Sequence, residues 1–440
     1  MYSFVLSLNF MFRSRFCRIL LGLIIYEVGS YLNVFHGISP IVCGMIGCFF
    51  IICNFFKIQK RNISNLGCDY TILIVLTLLM FLRGSLIGNY LPVYGTNVFD
   101  TSLYAIFRHC FFDNYCIAYL IPLAAIINPN KIEFSFSKKI GNLLCIISIM
   151  LAIVHLPTLI VASSYVDRTL NIGDKQFNIR ALTNAIFIGS GFFIFFSFCF
   201  QLIRGKMKWL FPITMIIVFL CTVAGAGRGD SLILILQILI FFYICFKYPY
   251  ISKNVSKGST LKLLIVLLFV IFGLVYLVLK TDYFTFLLNR LFEDGNTGSF
   301  AKSGREEFMQ DMLNDFDWNP FFWLFGKGIN GAYEACSDGG YMRDTIEWGF
   351  MQLILKGGVF YLVTYCFVLL RTAYLGILKS NNLVCKSFGF MCLIRVVELI
   401  TFGHPSISVE FFFVWLGVGF VRNRFLRIMN NDSIIQMFKI

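Results

Sequence analysis

The sequence has 440 residues, of which 58% are hydrophobic and 14% are charged, and its mean hydropathy is +0.79. Soluble proteins average roughly 25% charged and 45 to 50% apolar residues, so this composition indicates a polytopic membrane protein. The formal net charge of +14 does not indicate a nucleic-acid partner, because the basic residues form short clusters at the ends of apolar segments, where membrane orientation accounts for them.

Apolar segments long enough to cross a bilayer occupy most of the chain. The fourth of them carries Arg108, His109 and Asp113 in its first half. We predict an all-α fold: a single integral membrane domain, residues 1–440, that forms a polytopic bundle of about twelve transmembrane helices. The predicted spans are residues 16–35, 38–56, 68–88, 104–127, 141–161, 181–203, 209–226, 231–246, 261–279, 346–370, 383–402 and 407–421.

Basic clusters give the predicted bundle an orientation. With this segmentation every cluster falls on one side, which the positive-inside rule makes cytoplasmic, so both termini are expected inside. The clusters are Arg13/Arg15/Arg18, Lys57/Lys60/Arg61, Lys131/Lys138/Lys139, Arg204/Lys206/Lys208, Lys247/Lys253/Lys257/Lys262, Arg371/Lys379/Lys386 and Arg422/Arg424/Arg427.

One large hydrophilic loop, residues 281–345, interrupts the apolar chain and holds nearly half of the acidic residues. The same orientation places this loop outside, where basic residues are not retained. We predict short helices in it. The segment that follows Ser303 has Phe308, Met309 and Met312 on one face, which is typical of an amphipathic helix, and Ser303 is a suitable N-cap.

Glycine-flanked turns mark two candidate binding elements on the outer side. Arg228 lies in the turn Ala-Gly-Ala-Gly-Arg-Gly-Asp, where the backbone is free to approach a ligand and a guanidinium can bind phosphate oxygens in bidentate fashion. A helix-connecting turn with Arg228 at the headgroup level explains the pattern equally well. Gly326 and Gly328 follow an aromatic run, and they suit a tight backbone turn.

Candidate acid–base groups lie at the mouth of the next span. Arg343, Asp344 and Glu347 precede it, and a helical start would place the two carboxylates on one face, because they are three residues apart. Acids at a helix N-terminus are also favoured by the helix dipole alone, so a catalytic role and a structural one both remain open.

Charged residues within predicted spans are the last clue, because each is costly in lipid unless it is paired or faces water. Lys356, Arg395 and Glu398 indicate a polar cavity within the bundle, and Arg83 lies near the end of the third span. Internal ion pairing is the alternative, since Arg395 and Glu398 share a helix face. The four histidines have no ligand spacing and no Cys-x-x-Cys pair occurs, so we predict no metal site.

Together these features resemble the Wzy-type O-antigen polymerases, which are related to the O-antigen ligases. The shared pattern is about twelve spans, the turn around Arg228, and a late outer loop with Arg305 and an aromatic run into Gly326-Lys-Gly328. An acid before a helix that carries Gly357-Gly358 completes it. The resemblance covers the architecture of the whole chain, and its sequence content is concentrated in residues 224–240 and 303–360.

The resemblance implies a bacterial inner-membrane enzyme that joins undecaprenyl-diphosphate-linked oligosaccharide repeats in the periplasm, without a cofactor. Its partners would be these glycans, the lipid bilayer and a chain-length regulator protein. Under that reading Arg228, Arg305 and Arg343 bind the departing diphosphate, and Asp344, with Glu347 behind it, is the general base. An O-antigen ligase is the nearest alternative, which a loop without histidine disfavours. A lipid-linked oligosaccharide flippase is the alternative from another class, but the sequence lacks the repeated halves typical of transporters.

Overall fold

The computed structural model describes residues 15–32, 38–55, 66–86, 114–127, 142–143, 145–154, 169–172, 175–178, 210–224, 228–247, 304–317, 319–336, 341–346, 348–401 and 405–438. Most of these residues are helical. The chain divides into two units. The first unit comprises Met1–Ser30, Gly37–Lys139 and Gly304–Ile440, and the second comprises Tyr31–His36 and Ile140–Ser303.

The N-terminal part of the chain contains three helices of 18 or 19 residues, at positions close to the first three predicted spans. They are α1, Arg15–Leu32; α2, Ile38–Phe55; and α3, Cys68–Leu86. Where a fourth span was predicted, the described residues form only a short helix, α4, Asn114–Ala118, and a 3₁₀ helix, Ile121–Ile126. Pro122 opens that 3₁₀ helix, because proline lacks the N–H that a continuous α-helix would need there.

The second unit contributes three helices and a hairpin to the described residues. The helices are α5, Cys145–Val154; α6, Leu210–Ala224; and α7, Arg228–Lys247. The hairpin pairs β1, Thr169–Ile172, with β2, Lys175–Asn178, in an antiparallel ladder. It was not predicted, because it lies in a stretch assigned to an outward loop. The predicted spans at 181–203 and 261–279 lie outside the described residues.

The C-terminal part returns to the first unit and holds the described elements of the hydrophilic loop and the last helices. They are α8, Gly304–Phe316; α9, Pro320–Phe325; β3, Tyr333–Ala335; β4, Tyr341–Arg343; α10, Gly349–Leu378; α11, Leu383–Thr401; α12, Val409–Arg422; α13, Arg424–Ile428; and α14, Asn431–Phe438. The predicted short helices of the loop are therefore present. Among the described residues, one helix is both long and apolar enough to span a membrane, and that helix is α10.

The hydrophilic loop has its own core, which packs on the start of α10. The amphipathic face of α8 supplies Met312 and Phe316, and the antiparallel hairpin β3–β4 supplies Tyr333 and Ala335. These side chains are buried against Ile346, Met351, Ile354 and Leu355. The apolar face of α8 is thus buried within the protein, and the described part of the loop packs on α10.

A cluster of charged side chains joins the first turn of α3 to α10 and α12. Asp69 accepts hydrogen bonds from both terminal nitrogens of Arg422, at 2.9 and 2.6 Å, and from Nη1 of Arg371 at 2.7 Å. Arg422 and Asp69 are both buried, so this pair is shielded from solvent. Because Arg83, near the other end of α3, contacts the hydrophilic loop before α10, helices α3 and α10 run antiparallel.

Candidate functional site

The site begins with a break in α10. Gly358 has φ 74° and ψ −178°, a conformation that is essentially restricted to glycine. In a continuous helix the carbonyl oxygens of Leu355 and Lys356 would accept hydrogen bonds from N–H groups four residues later. Here they accept instead from the backbone of the hydrophilic loop, from Lys327 N at 2.8 Å and from Gly328 N at 2.9 Å.

Two glycines allow the loop backbone to approach the break this closely. Gly326 has φ 68°, and a Cβ atom there would lie 2.5 Å from the carbonyl oxygen of Lys356. A Cβ atom on Gly358 would lie 2.3 Å from the carbonyl oxygen of Leu324. Because each glycine faces the backbone of the other segment, neither tolerates a side chain in this arrangement.

The same loop residues also contact the end of α3. Ile329 N donates to Met80 O at 3.1 Å, and the Asn330 side-chain amide donates to Gly84 O at 3.3 Å. We call residues 326–331 the docking segment. Its backbone N–H groups hydrogen-bond to carbonyl oxygens of both helices, and it connects α3 to the break in α10.

Arg83 was noted in the sequence as an intramembrane charge but was assigned no role. Its guanidinium donates from Nη1 to the carbonyl oxygen of Gly326. The Cζ atom lies 4.6 Å from the centroid of the Phe321 ring and 5.6 Å from that of Phe322. Its Nε is buried and has no hydrogen-bond partner among the described residues. A lone arginine late in an apolar helix was the signal that pointed to this position.

Two lysines make contacts at the docking segment, one from within it and one from α10. Lys327 pairs with Asp315 of α8 and also donates to Ala332 O at 3.0 Å. Lys356 is 1% exposed, and its ammonium donates to Gly331 O at 2.9 Å. No described carboxylate lies within ion-pair distance of Lys356, although a buried ammonium is costly without one.

The predicted base Asp344 lies in the strap between β4 and α10, where it is half-buried. Helix α10 begins only at Gly349, so the expectation that Asp344 and Glu347 share a helical face is wrong for Asp344. A buried glutamine holds the strap instead. Gln352 accepts a hydrogen bond from Ile346 N at 2.7 Å and donates to Asp344 O at 3.2 Å. The sequence reasoning missed Gln352, whose signal was a single amide in an apolar helix.

The hairpin brings Arg343 to the helix that contains Arg305. The guanidinium of Arg343 stacks on Phe308, with its Cζ 3.9 Å from the ring centroid. Phe308 and Arg305 are three residues apart on α8 and therefore share a face of that helix. Arg305 lies in the first turn of α8, but its side chain and residue Glu347 lie outside the described set. Arg228 is the first residue of α7 in the second unit, and its side chain is also outside that set.

The three residues that were assigned to a polar cavity make two separate sets of contacts. Arg395 and Glu398 form a buried ion pair at 2.6 Å, as the ion-pairing alternative expected, while Lys356 contacts the docking segment. Near the ion pair, aromatic side chains form a buried row: Tyr119, Tyr361, Tyr365 and Trp415, with successive ring centroids 6.0, 6.2 and 5.4 Å apart. Their polar atoms have no hydrogen-bond partner among the described residues.

Gly326 and Gly328 are the predicted residues whose roles the structure explains most fully, since both belong to the docking segment. Within the described residues no group of three or more His, Cys, Asp or Glu side chains could hold a metal ion. Comparison with known proteins adds no relative. No protein-family model, curated protein or solved structure matches the chain.

Proposed function

We propose that this protein is a polysaccharide polymerase of the Wzy type, which joins undecaprenyl-diphosphate-linked oligosaccharide repeats. The observation that carries the proposal is the arrangement at the start of α10, where the described part of the polar loop packs on an apolar helix. There Arg343 and Asp344 are consecutive residues, one stacked on α8 and the other fixed by Gln352. These two adjacent residues place a cation and a carboxylate just before α10, and that pair of groups suits a reaction with an anionic leaving group and a hydroxyl nucleophile.

A bilayer around the helices is part of the proposal, and the apolar side chains on their surfaces support it. Helix α10 exposes one face of large apolar residues, and α3 exposes a similar face. Patches of this size are unfavourable in water and favourable in lipid. The α10 face consists of Phe360, Val363, Phe367, Leu370, Tyr374 and Leu378, and the α3 face of Ile72, Val75, Leu78, Leu79 and Leu82.

The proposed topology places about twelve spans in the bacterial inner membrane, with both termini in the cytoplasm and the hydrophilic loop in the periplasm. The ends of α3 and α10 support this orientation. Arg371 and Arg422 meet Asp69 at one end, and they belong to the basic clusters that the positive-inside rule assigns to the cytoplasm. The docking segment contacts the opposite end of the same helices, which is the periplasmic end in this topology.

In the proposed reaction, a sugar hydroxyl on one lipid-linked repeat attacks the anomeric carbon of the growing glycan. The new glycosidic bond forms as the bond to the lipid diphosphate breaks. Asp344 takes the hydroxyl proton, with Glu347 as the second candidate. Arg305 and Arg343 stabilise the charge that develops on the departing diphosphate, and Arg228 is a third candidate from the sequence.

The lipopolysaccharide banding pattern of a deletion strain tests the proposal when the strain is complemented with variants. We expect Arg305→Ala and Arg228→Ala each to abolish long glycan chains and leave single repeats. Arg424→Ala, an exposed arginine at the cytoplasmic end, is the matched control and should restore the full ladder. A ladder of normal length from Arg305→Ala at normal protein level would contradict the assigned role.

The deletion strain also separates the alternatives. A polymerase mutant retains single repeats on the lipopolysaccharide, because flipping and ligation continue without polymerisation. Loss of all surface glycan would indicate a flippase, and polymer stranded on undecaprenyl diphosphate would indicate a ligase.

A further inference from the structure

The contacts of the docking segment leave an excess of positive charge at the place where the loop meets α3 and α10. Three cations contact this segment or belong to it: Arg83, Lys327 and Lys356. Among the described residues, only Lys327 has a carboxylate partner, which is Asp315. Arg83 and Lys356 thus have no carboxylate partner within the part of the chain that the structure describes, although the hydrophilic loop as a whole is acidic. An uncompensated positive potential at a membrane surface attracts an anion.

Arg83 is the cation whose geometry suits an oxyanion. Its Nη1 is committed to Gly326 O, which leaves the edge formed by Nε and Nη2 without a partner in the part of the chain that the structure describes. Two parallel N–H groups on one guanidinium edge match two oxygens of a phosphate group. The unsatisfied Nε is shielded from water, so a charged hydrogen bond made there is stronger than one made in solvent.

Two aromatic rings pack on Arg83, and one of them is exposed. Phe321, whose ring lies 4.6 Å from the guanidinium carbon, is 51% exposed. Phe322 is shared: Arg83 lies 5.6 Å from its centroid and Lys327 lies 5.4 Å from it. Both cations therefore approach the same aromatic ring, and an apolar lipid tail can follow the exposed apolar face of α3 below them.

We propose that Arg83 binds the diphosphate of a polyprenyl-diphosphate lipid at the docking segment. This inference rests on the proposed function for the identity of the lipid. It adds a binding residue at the end of α3 to the arginines chosen from the sequence. Arg83 contacts phosphate oxygens in this account, and Lys327 and Lys356 supply the surrounding positive potential.

Binding of farnesyl diphosphate to the purified full-length protein in detergent tests the inference without requiring polymerisation. Charge-assisted hydrogen bonds contribute about 1.5 to 3 kcal/mol, so R83Q should weaken affinity by roughly tenfold to a hundredfold. R83K keeps the charge and loses the bidentate edge, and we expect an intermediate affinity. R424Q removes an exposed arginine elsewhere, and its affinity should equal that of the wild type.

Two further measurements test whether Arg83 has a purely structural role and whether the phosphate comes from a different lipid. Asn330→Ala removes another contact between the docking segment and α3 without changing charge, and it should bind farnesyl diphosphate within about twofold of the wild type. Equal weakening by Asn330→Ala and R83Q would overturn the inference, because Arg83 would then only fasten the segment. If R83Q binds phosphatidylglycerol vesicles more weakly than the wild type but binds farnesyl diphosphate equally well, the inference is overturned in favour of a phospholipid headgroup. If R83Q cannot be purified, R83K carries the test, and an affinity of R83K equal to that of the wild type and of R424Q would contradict the inference.

These results are separable from the proposed function. A protein that binds farnesyl diphosphate through Arg83 but makes no polymer would support this inference and contradict polymerisation. If the protein polymerises and its R83Q variant binds farnesyl diphosphate as tightly as the wild type, only this inference is contradicted.

Discussion

Replacing Gly358 by alanine should release the docking segment from α10. The alanine Cβ would lie 2.3 Å from Leu324 O, and φ 74° with ψ −178° is a conformation that costs a non-glycine residue about 1 to 3 kcal/mol. Relief of the clash also breaks the two hydrogen bonds to Leu355 O and Lys356 O, each worth about 1 kcal/mol. The docking free energy therefore falls by about 4 kcal/mol, roughly a thousandfold in the docking equilibrium.

Maleimide labelling of Cys116, quantified peptide by peptide with mass spectrometry, measures this release. The thiol is buried, and its Sγ lies 3.6 Å from Ile329 O and from Asn330 Oδ1, under the docking segment. Labelling through an open state follows the open population, so Gly358→Ala should accelerate it by on the order of a hundredfold or more. Gly44→Ala is the control, since a Cβ there meets no atom within 4 Å. Labelling within threefold of wild type in Gly358→Ala would refute the reasoning.

Three further substitutions test separate parts of the structure. Asp69→Ala leaves the buried Arg422 without its carboxylate and should lower the free energy of unfolding in detergent by about 3 to 5 kcal/mol. Asp432→Ala, at an exposed position, is the control and should have little effect on the unfolding midpoint. Gln352→Leu removes both hydrogen bonds to the strap before α10 and should abolish the long-chain ladder at normal protein level. Gln310→Leu, at an exposed position, is the control and should retain the ladder. An intact ladder in Gln352→Leu would show that Asp344 needs no such support. Tyr361→Phe removes a buried hydroxyl that has no hydrogen-bond partner among the described residues. The free energy of unfolding should stay unchanged or rise by about 1 kcal/mol. A clear drop in the unfolding midpoint would reveal a partner.

The positions of helices followed from the sequence wherever hydrophobic segments were long and uninterrupted. Eight of the described helices lie close to predicted spans, because a long apolar segment is enough to determine each of them. They are α1 to α3, α6, α7 and α10 to α12. The hairpin β1–β2 was missed because its strands are only four residues long and contain no extended alternation. Arg228 was expected in a turn, but it is the first residue of α7, since a glycine-rich stretch does not specify where the helix begins.

The candidate site was predictable in its residue types but not in its connections. Gly326, Gly328 and the Gly357-Gly358 pair were noticed as separate features, yet only the fold shows that loop N–H groups complete the break in α10. Backbone partners so distant in sequence leave no local pattern. For the same reason the partners of Lys356 and Arg83, which are backbone carbonyl oxygens of the docking segment, could not be read from side-chain chemistry.

The most direct test of the central claim is product analysis with the purified protein in liposomes that contain an undecaprenyl-diphosphate-linked repeat unit. We predict lipid-linked dimers and longer glycans, with free undecaprenyl diphosphate released once for each bond formed. Recovery of unchanged substrate from protein in which Cys116 remains protected, and the docking segment is therefore in place, would contradict the assignment as a polymerase.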